Sequence, residues 1–537
     1  MHRYRRRAGL AYTGDRRNMG RPLFALALDA VPPALLEAWI AEGITPRIAA
    51  LRAAGAYGRL TKAHDHPHEA SWSAFLQGCA PRAGGEWGRH VYFPERYRVE
   101  DRPSYRLDVH PPFYALPGIA RALIFDVPHA PLVNALEGVQ MLGWGMEENL
   151  FKRASVPPAL FDEVTRRHGA HPFFGGAAAR VIAEEGDGTV AAFRLPSVYD
   201  PQALRALEGQ IQEAIRRRAA ILAELAAREP WTLALAASAE LHLAMHMLWH
   251  EPRALSAAAR AFDDSLGGFL ERVPREATLV LFSVSGMTAN YTDLPVSLFL
   301  PELLYRLEFG EAALAPGEAG APVPPPAAHY RAHWKDEIWA LRTPRGEREL
   351  ESPAAQERRK DPFDWCPLNW YAPLWPRMRA FALPSFSHGM VRVNLKGRDA
   401  QGVVAPAEYA STCDALAAAI RALVNARTGR PIAKEVTRTR ASPTGDGAHL
   451  PPADLMVTWD ADEPADVVES PRAGRIGPVP WLRTGGHMPD GFCLLAGPGI
   501  APGTRLPENA AITDLTATLL KMLGVAIPPY AEGRPLV

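Results

Sequence analysis

The stretch PLFALALDA, Pro22–Ala30, constrains the fold more than any other. Its apolar residues follow one another without alternation and then stop at Asp29. A run of this length that is apolar at both odd and even positions is the pattern of a strand buried on both sides. Such strands belong to parallel sheets covered by helices. The next segment, PPALLEAWIAEGITPRIAALRAAG, changes to helical spacing and stops at Gly55. Strand, acid, helix is the layout of an open α/β sheet, in which ligands lie at the carboxyl ends of the strands. The pattern recurs. RALIFDVP (Arg121–Pro128), WTLALAASAELHLAMHMLWH (Trp231–His250), ATLVLFSVSGM (Ala277–Met287) and GFCLLAGPGI (Gly491–Ile500) each hold a strand-like apolar run. Alternation of this kind predicts an α/β fold with a mostly parallel central sheet and helices on both faces.

A chain of 537 residues exceeds one simple core, so insertions or a second unit are expected. Residues 1–18 read as a flexible basic tail, 19–310 as the first part of the α/β core, 311–384 as a linker and inserted cap, and 385–537 as the second part of the core. Residues 311–329 are rich in Pro, Ala and Gly, as a surface linker is. The segment after it carries Trp334, Trp339, Trp365, Trp370 and Trp375, which either fill a core or line the mouth of a site.

Lys plus Arg and Asp plus Glu both number 59, which gives no general pull toward nucleic acid or an anionic membrane. The four cysteines are scattered and form no CxxC pair, so neither a disulfide framework nor a Cys-type zinc site is expected. MHRYRRRAGLAYTGDRRN has no apolar core of a secretory signal, Met19 is an alternative start, and no apolar run is long enough to span a bilayer. A cytoplasmic protein without a membrane span is expected.

Several residues have the type and spacing that metal chemistry needs. Asp29, at a strand's carboxyl end, is a hard oxygen ligand; its bland alternative is a turn or helix cap. His242 and His246 stand four apart, so on a helix both leave one face, with Glu240 just upstream and His250 a turn further on. His487 sits in the glycine-rich RTGGHMPDGF, where glycine lets backbone approach closely. HDHPHEASWSAFLQGCAP (His64–Pro81) concentrates three histidines before a helix-like run. The strand pair around SHGM carries Arg392, Lys396 and Arg398, which either meet an anion or form a solvated hairpin.

Taken in order, Asp29, SWSAFLQGCAP, the His242/His246 pair, LFSVSGM, His487 and the closing GPGIAPGTRLPENAAITDLTATLLKMLGVAIPPYAEGRPL resemble the alkaline phosphatase superfamily. The nearest branch is that of the type I phosphodiesterase/nucleotide pyrophosphatase-like phosphohydrolases. The resemblance implies an alkaline-phosphatase-like fold and a site in which two metal ions, usually zinc, flank a Thr or Ser nucleophile. It implies metal roles for Asp29, His246 and His487, with His242 where that branch has an Asp and Glu240 nearby. The ions would be one or two zinc, or manganese.

Two departures stand out. Val284 and Ser285 replace the Asp–His pair of the second ion, and the nucleophile position falls on His68, with Ser71 and Ser73 one turn along. His68 and Ser71 are therefore the catalytic candidates. The expected activity is metal-dependent hydrolysis of a small-molecule phosphate ester or phosphodiester. The alternatives are a catalytically degenerate member that binds a ligand or partner, and a sulfate or phosphonate ester hydrolase.

Overall fold

A computed structural model describes residues 21–61, 67–88, 90–101, 201–228, 231–316, 334–359, 366–443, 449–481 and 484–537, with short pieces at 109, 112, 122–125, 140–142 and 167. The basic tail, the His64–Asp65–His66 stretch, residues 317–333 of the linker, Trp365 and residues 126–128 of the second expected strand lie outside the described residues.

The opening run is β1 (Leu23–Leu28), followed by α1 (Pro33–Ala41), α2 (Pro46–Ala54), β2 (Ala56–Leu60) and α3 (Ser71–Gln77). Then come β3 (Ala122–Phe125), β4 (Gln140–Leu142), α4 (Pro201–Arg228), β5 (Leu233–Ser238), α5 (Ala239–Leu248), α6 (Pro252–Leu270), β6 (Thr278–Ser283) and β7 (Gly286–Ala289). After a long insertion the chain returns with β12 (Gly485–Met488), β13 (Gly491–Ala496), β14 (Thr504–Arg505) and α7 (Ile512–Met522).

Among the described residues the main sheet has eight strands, in the order β14-β2-β13-β6-β1-β5-β3-β4. β1 pairs in parallel with both β5 and β6, and only β13 runs against its neighbours. The unbroken apolar runs now have their cause. Phe24, Leu26 and Leu28 face one side, packing with Leu36, Ile215, Met245 and Phe262 of the helices there. Leu23, Ala25 and Ala27 face the other, packing with Trp72 and Phe75 of α3 and Leu515 and Leu519 of α7. Because successive side chains point to opposite faces, a strand covered on both must be apolar at every position. The α/β class, the mostly parallel sheet and the helices on both faces are as the sequence led one to expect.

The insertion holds a second sheet, antiparallel, built from β8 (Ala380–Leu383), β9 (His388–Val393), β10 (Ala433–Arg438) and β11 (Leu455–Trp459) in the order β8-β9-β11-β10. One apolar cluster runs through it, made of Tyr92, Tyr97 and residues from Leu294 to Trp481. Trp370 and Trp375 are fully buried there, and Trp339 packs against the same cluster, so these indoles fill a core. The sheet takes strands from both sides of residue 384, since β8 and β9 form one hairpin. Arg392 and Arg398 are spent internally. Arg392 donates to Asp399 at 2.7 Å and Arg398 to Asp454 at 2.7 Å. No helix among the described residues is long and apolar enough to cross a membrane.

Candidate metal centre

The carboxyl ends of β1, β5 and β6 meet at one place, where open α/β sheets carry their ligands. β1 delivers Asp29 one residue past its end, and β5 runs directly into α5. From α5 come His242 and His246, four apart and on one face. His487 arrives on β12, which pairs with β7 and sets His487 opposite Met287. β12 approaches α5 so closely that a Cβ on Gly485 would lie 2.2 Å from the carbonyl oxygen of Met245. Only glycine fits there. The Gly485 carbonyl in turn accepts a hydrogen bond from His246 Nδ1 at 2.8 Å.

The three imidazoles point inward. His242 Nε2 lies 2.9 Å from His246 Nε2 and 3.2 Å from His487 Nε2. The ligand atoms of the three all lie within 4.8 Å of one another, and no other such group of three occurs among the described residues. Their outer bonds assign the tautomers. Asp29 Oδ2 accepts from His242 Nδ1 at 2.8 Å, and the Gly485 carbonyl accepts from His246 Nδ1. With both Nδ1 atoms donating, the neutral rings present lone pairs at Nε2. Two lone pairs 2.9 Å apart repel unless a metal ion or a shared proton lies between them. Zn–N bonds of about 2.0–2.1 Å in a tetrahedron would hold nitrogens about 3.3–3.4 Å apart, close to the spacing here. An all-imidazole set with Nδ1 anchored to a carboxylate and a carbonyl suits a borderline divalent ion.

Asp29 thus stands behind the cluster, as the anchor of His242, and not among the facing nitrogens. Its other oxygen accepts from the Trp72 indole N–H at 3.1 Å. Burial alone would raise the Asp29 carboxyl. The positive end of the His242 N–H dipole and its hydrogen bond, the Trp72 hydrogen bond and the electrostatic potential of the His68 ring more than offset that, and hold it below its ordinary value.

His68 opens the short turn before α3, and its ring stacks on His487 with centroids 3.9 Å apart and planes 19° off parallel. Glu69 reaches back, with Oε2 3.3 Å from His68 Nδ1. Its Oε1 accepts from Ser385 Oγ at 2.7 Å and from the backbone N–H of Phe386. The second sheet is thereby tied to the wall of the centre.

Three expected residues do not join. Glu240 is buried and takes hydrogen bonds from Arg218 and, at 3.0 Å, from Ser238 Oγ. Two residues before His242 it lies about 200° round the helix, so it points away from the histidines. Ser71 has no exposed surface, and its hydroxyl makes no hydrogen bond among the described residues. A sealed hydroxyl is not open to a substrate. His250 lies past the end of α5 and is 3.8 Å from Glu251.

Sequence reasoning missed Glu69 and the anchoring indole of Trp72. The Asp29–Trp72 bond crosses 43 positions in the chain, and no local motif announces it.

Residues 23–352 match the family described as type I phosphodiesterase / nucleotide pyrophosphatase. Two solved structures align along most of the chain. One is phosphonoacetate hydrolase from Sinorhizobium meliloti 1021 in complex with phosphonoformate, at 13% identity and a TM-score of 0.47, covering 93% of this chain and 95% of that one. The other is murine ectonucleotide pyrophosphatase / phosphodiesterase 5, at 11% identity and a TM-score of 0.47, covering 95% of this chain and 96% of that one. No curated protein matches the chain in sequence.

Proposed function

The chain belongs to the type I phosphodiesterase / nucleotide pyrophosphatase family, and from that premise we propose that it hydrolyses phosphate esters or phosphodiesters with one divalent ion, zinc or manganese, held by His242, His246 and His487. The observation that carries this reading is the convergence of three Nε2 atoms, on rings of which two, His242 and His246, are already bonded through Nδ1. The ion, when bound, supplies Lewis-acid polarisation and neutralises phosphoryl charge.

The chain's own groups do the rest. Asp29 and the Gly485 carbonyl hold two imidazoles in the tautomer that presents a lone pair. His68, stacked on His487 and braced by Glu69, is the proton carrier. In hydrolysis the P–O bond to the organic group breaks, the oxygen of water takes its place keeping one proton, and the other proton of that water passes by way of His68 to the departing oxygen. One ion rather than two is favoured because Val284, at the place of the family's second-site acid, is buried in the apolar cluster that includes Trp72 and Phe282. The sealed Ser71 hydroxyl favours a second reading, in which a phosphorylated ligand is bound without turnover.

The test is the metal content of the purified protein after dialysis, by elemental mass spectrometry, beside His246→Ala. Wild type is expected to keep about one zinc or manganese per chain, and His246→Ala to lose it while remaining folded. Equal metal in both proteins would sink the three-imidazole assignment. Retained metal with no turnover of mono- or diesters would favour the second reading.

A further inference from the structure

A narrow cleft opens beside His68, between the core and the second sheet. Trp87, Tyr92, Leu383, Phe386 and Met390 line it with Glu69 and Ser385; the Trp87 indole N–H donates to the His449 carbonyl at 2.6 Å and the Tyr92 hydroxyl to Asp399 at 3.4 Å. Glu69 and Ser385 are already occupied with each other, since Ser385 Oγ donates to Glu69 Oε1 at 2.7 Å, and the other Glu69 oxygen faces His68. Among the described residues that line the cleft no side chain is cationic. Arg392 stands over the Tyr92 ring at 4.7 Å, but its guanidinium is committed to Asp399. Arg82 stands over Trp87 at 5.7 Å and is not part of the lining.

The cleft lies beside the wall of the metal centre. The Phe386 ring centroid lies 6.2 Å from that of His68, and Glu69 bridges the two by accepting the Phe386 backbone N–H while facing the imidazole. A phosphoryl group at the three imidazoles would therefore direct its organic substituent along the Phe386 wall.

We propose that this cleft binds the organic group of the substrate, and that the group is uncharged and apolar, an aryl ring or compact hydrocarbon, joined to phosphorus through the ester oxygen. The inference rests on the phosphoryl site proposed above. A second phosphate would find no cation among the described residues of the lining. A polar base would leave donors and acceptors unmatched, which costs more than a missing methylene gains. An apolar ring loses nothing there and gains by leaving water.

The test is calorimetric binding of phenylphosphonate and methylphosphonate to the metal-loaded full chain, in wild type, Phe386→Ala and Phe386→Tyr. Both probes carry the same phosphoryl group and neither is hydrolysed. Wild type is expected to bind phenylphosphonate at least tenfold more tightly. Phe386→Ala should cut that preference below threefold, and Phe386→Tyr should restore it. Equal affinities in wild type, or a preference unmoved in Phe386→Ala, would overturn the cleft assignment while leaving the phosphoryl site standing. Binding of neither probe to metal-loaded protein would overturn both.

Discussion

Asp29→Asn separates the anchoring role from a direct ligand role at almost constant volume. The carboxylate accepts two N–H donors, from His242 at 2.8 Å and from Trp72 at 3.1 Å. An amide has one oxygen, so one donor must face an NH2 group. If that donor is His242, the ring is driven to the other tautomer and Nε2 loses the lone pair it turns to the centre. If it is Trp72, a buried indole N–H loses its partner. Leaving one donor unpaired costs about 1–3 kcal/mol. Carboxylates behind metal-bound histidines contribute about 10–100-fold in affinity, which is about 1.4–2.7 kcal/mol. The two figures agree. Competition for zinc against a chromophoric chelator is therefore expected to show a dissociation constant raised about 10–100-fold in Asp29→Asn, with one ion still bound at saturation. An affinity within twofold of wild type would refute the anchor. A loss as complete as that of His246→Ala would show that Asp29 itself binds the ion.

Glu240→Gln breaks a buried pair with Arg218 and is expected to cost about 3–5 kcal/mol in urea unfolding while leaving zinc affinity unchanged; a weakened zinc affinity would return Glu240 to the site. Gly485→Ala places a methyl 2.2 Å from a backbone oxygen, so β12 must move off α5. A stability loss of about 1–3 kcal/mol together with a large loss of metal is expected, and an unchanged metal affinity would contradict the close packing. Asp454 is buried, and burial raises its carboxyl, but the hydrogen bonds and charge of Arg398, the charge of Arg440 and the Val393 N–H bring it below its ordinary value. An acid depressed in the fold contributes stability above its unfolded value of about 3.9, and that contribution is lost as pH falls through the folded value. The melting temperature should therefore fall less steeply below about pH 4 in Asp454→Asn than in wild type, although the variant is less stable at pH 7; parallel curves would refute this.

The sheet was legible because burial on both faces leaves a one-dimensional record. Leu23–Leu28, Leu233–Ala237 and Leu279–Phe282 are apolar at every position, and each turns polar or helical where the parallel strand ends. The His242/His246 spacing was legible for the same reason, since helical period alone puts both on one face. Glu240 was misplaced because nearness in sequence was taken for nearness in space, whereas two residues along a helix reverse the direction. The second sheet was only half visible. β9 carries the buried Arg392 beside its apolar residues, and what allows that burial is Asp399, seven positions on and beyond the end of the strand. Contacts across long chain separations, such as Glu69 to Ser385, leave no periodic trace at all.

The one-ion proposal gains its force from Asp29 taken together with Val284. A carboxylate shared between two ions would have to keep an oxygen open toward the second. Here Oδ2 receives the imidazole N–H and Oδ1 the indole N–H of Trp72. The side of the centre where a second ion's acid would stand carries Val284, with no exposed surface and in the same apolar cluster as Trp72. These two substitutions of role support each other. An indole can cover Asp29 only where no second cation competes for that oxygen, and a valine is tolerated only where no cation needs a ligand. Restoring half of the pair should then fail. Val284→Asp alone would place a carboxylate in an apolar cluster and leave Trp72 still covering Oδ1. Its expected effect is a loss of stability with the metal stoichiometry still at one, and a rise to two ions per chain would show that the site needed only the missing acid.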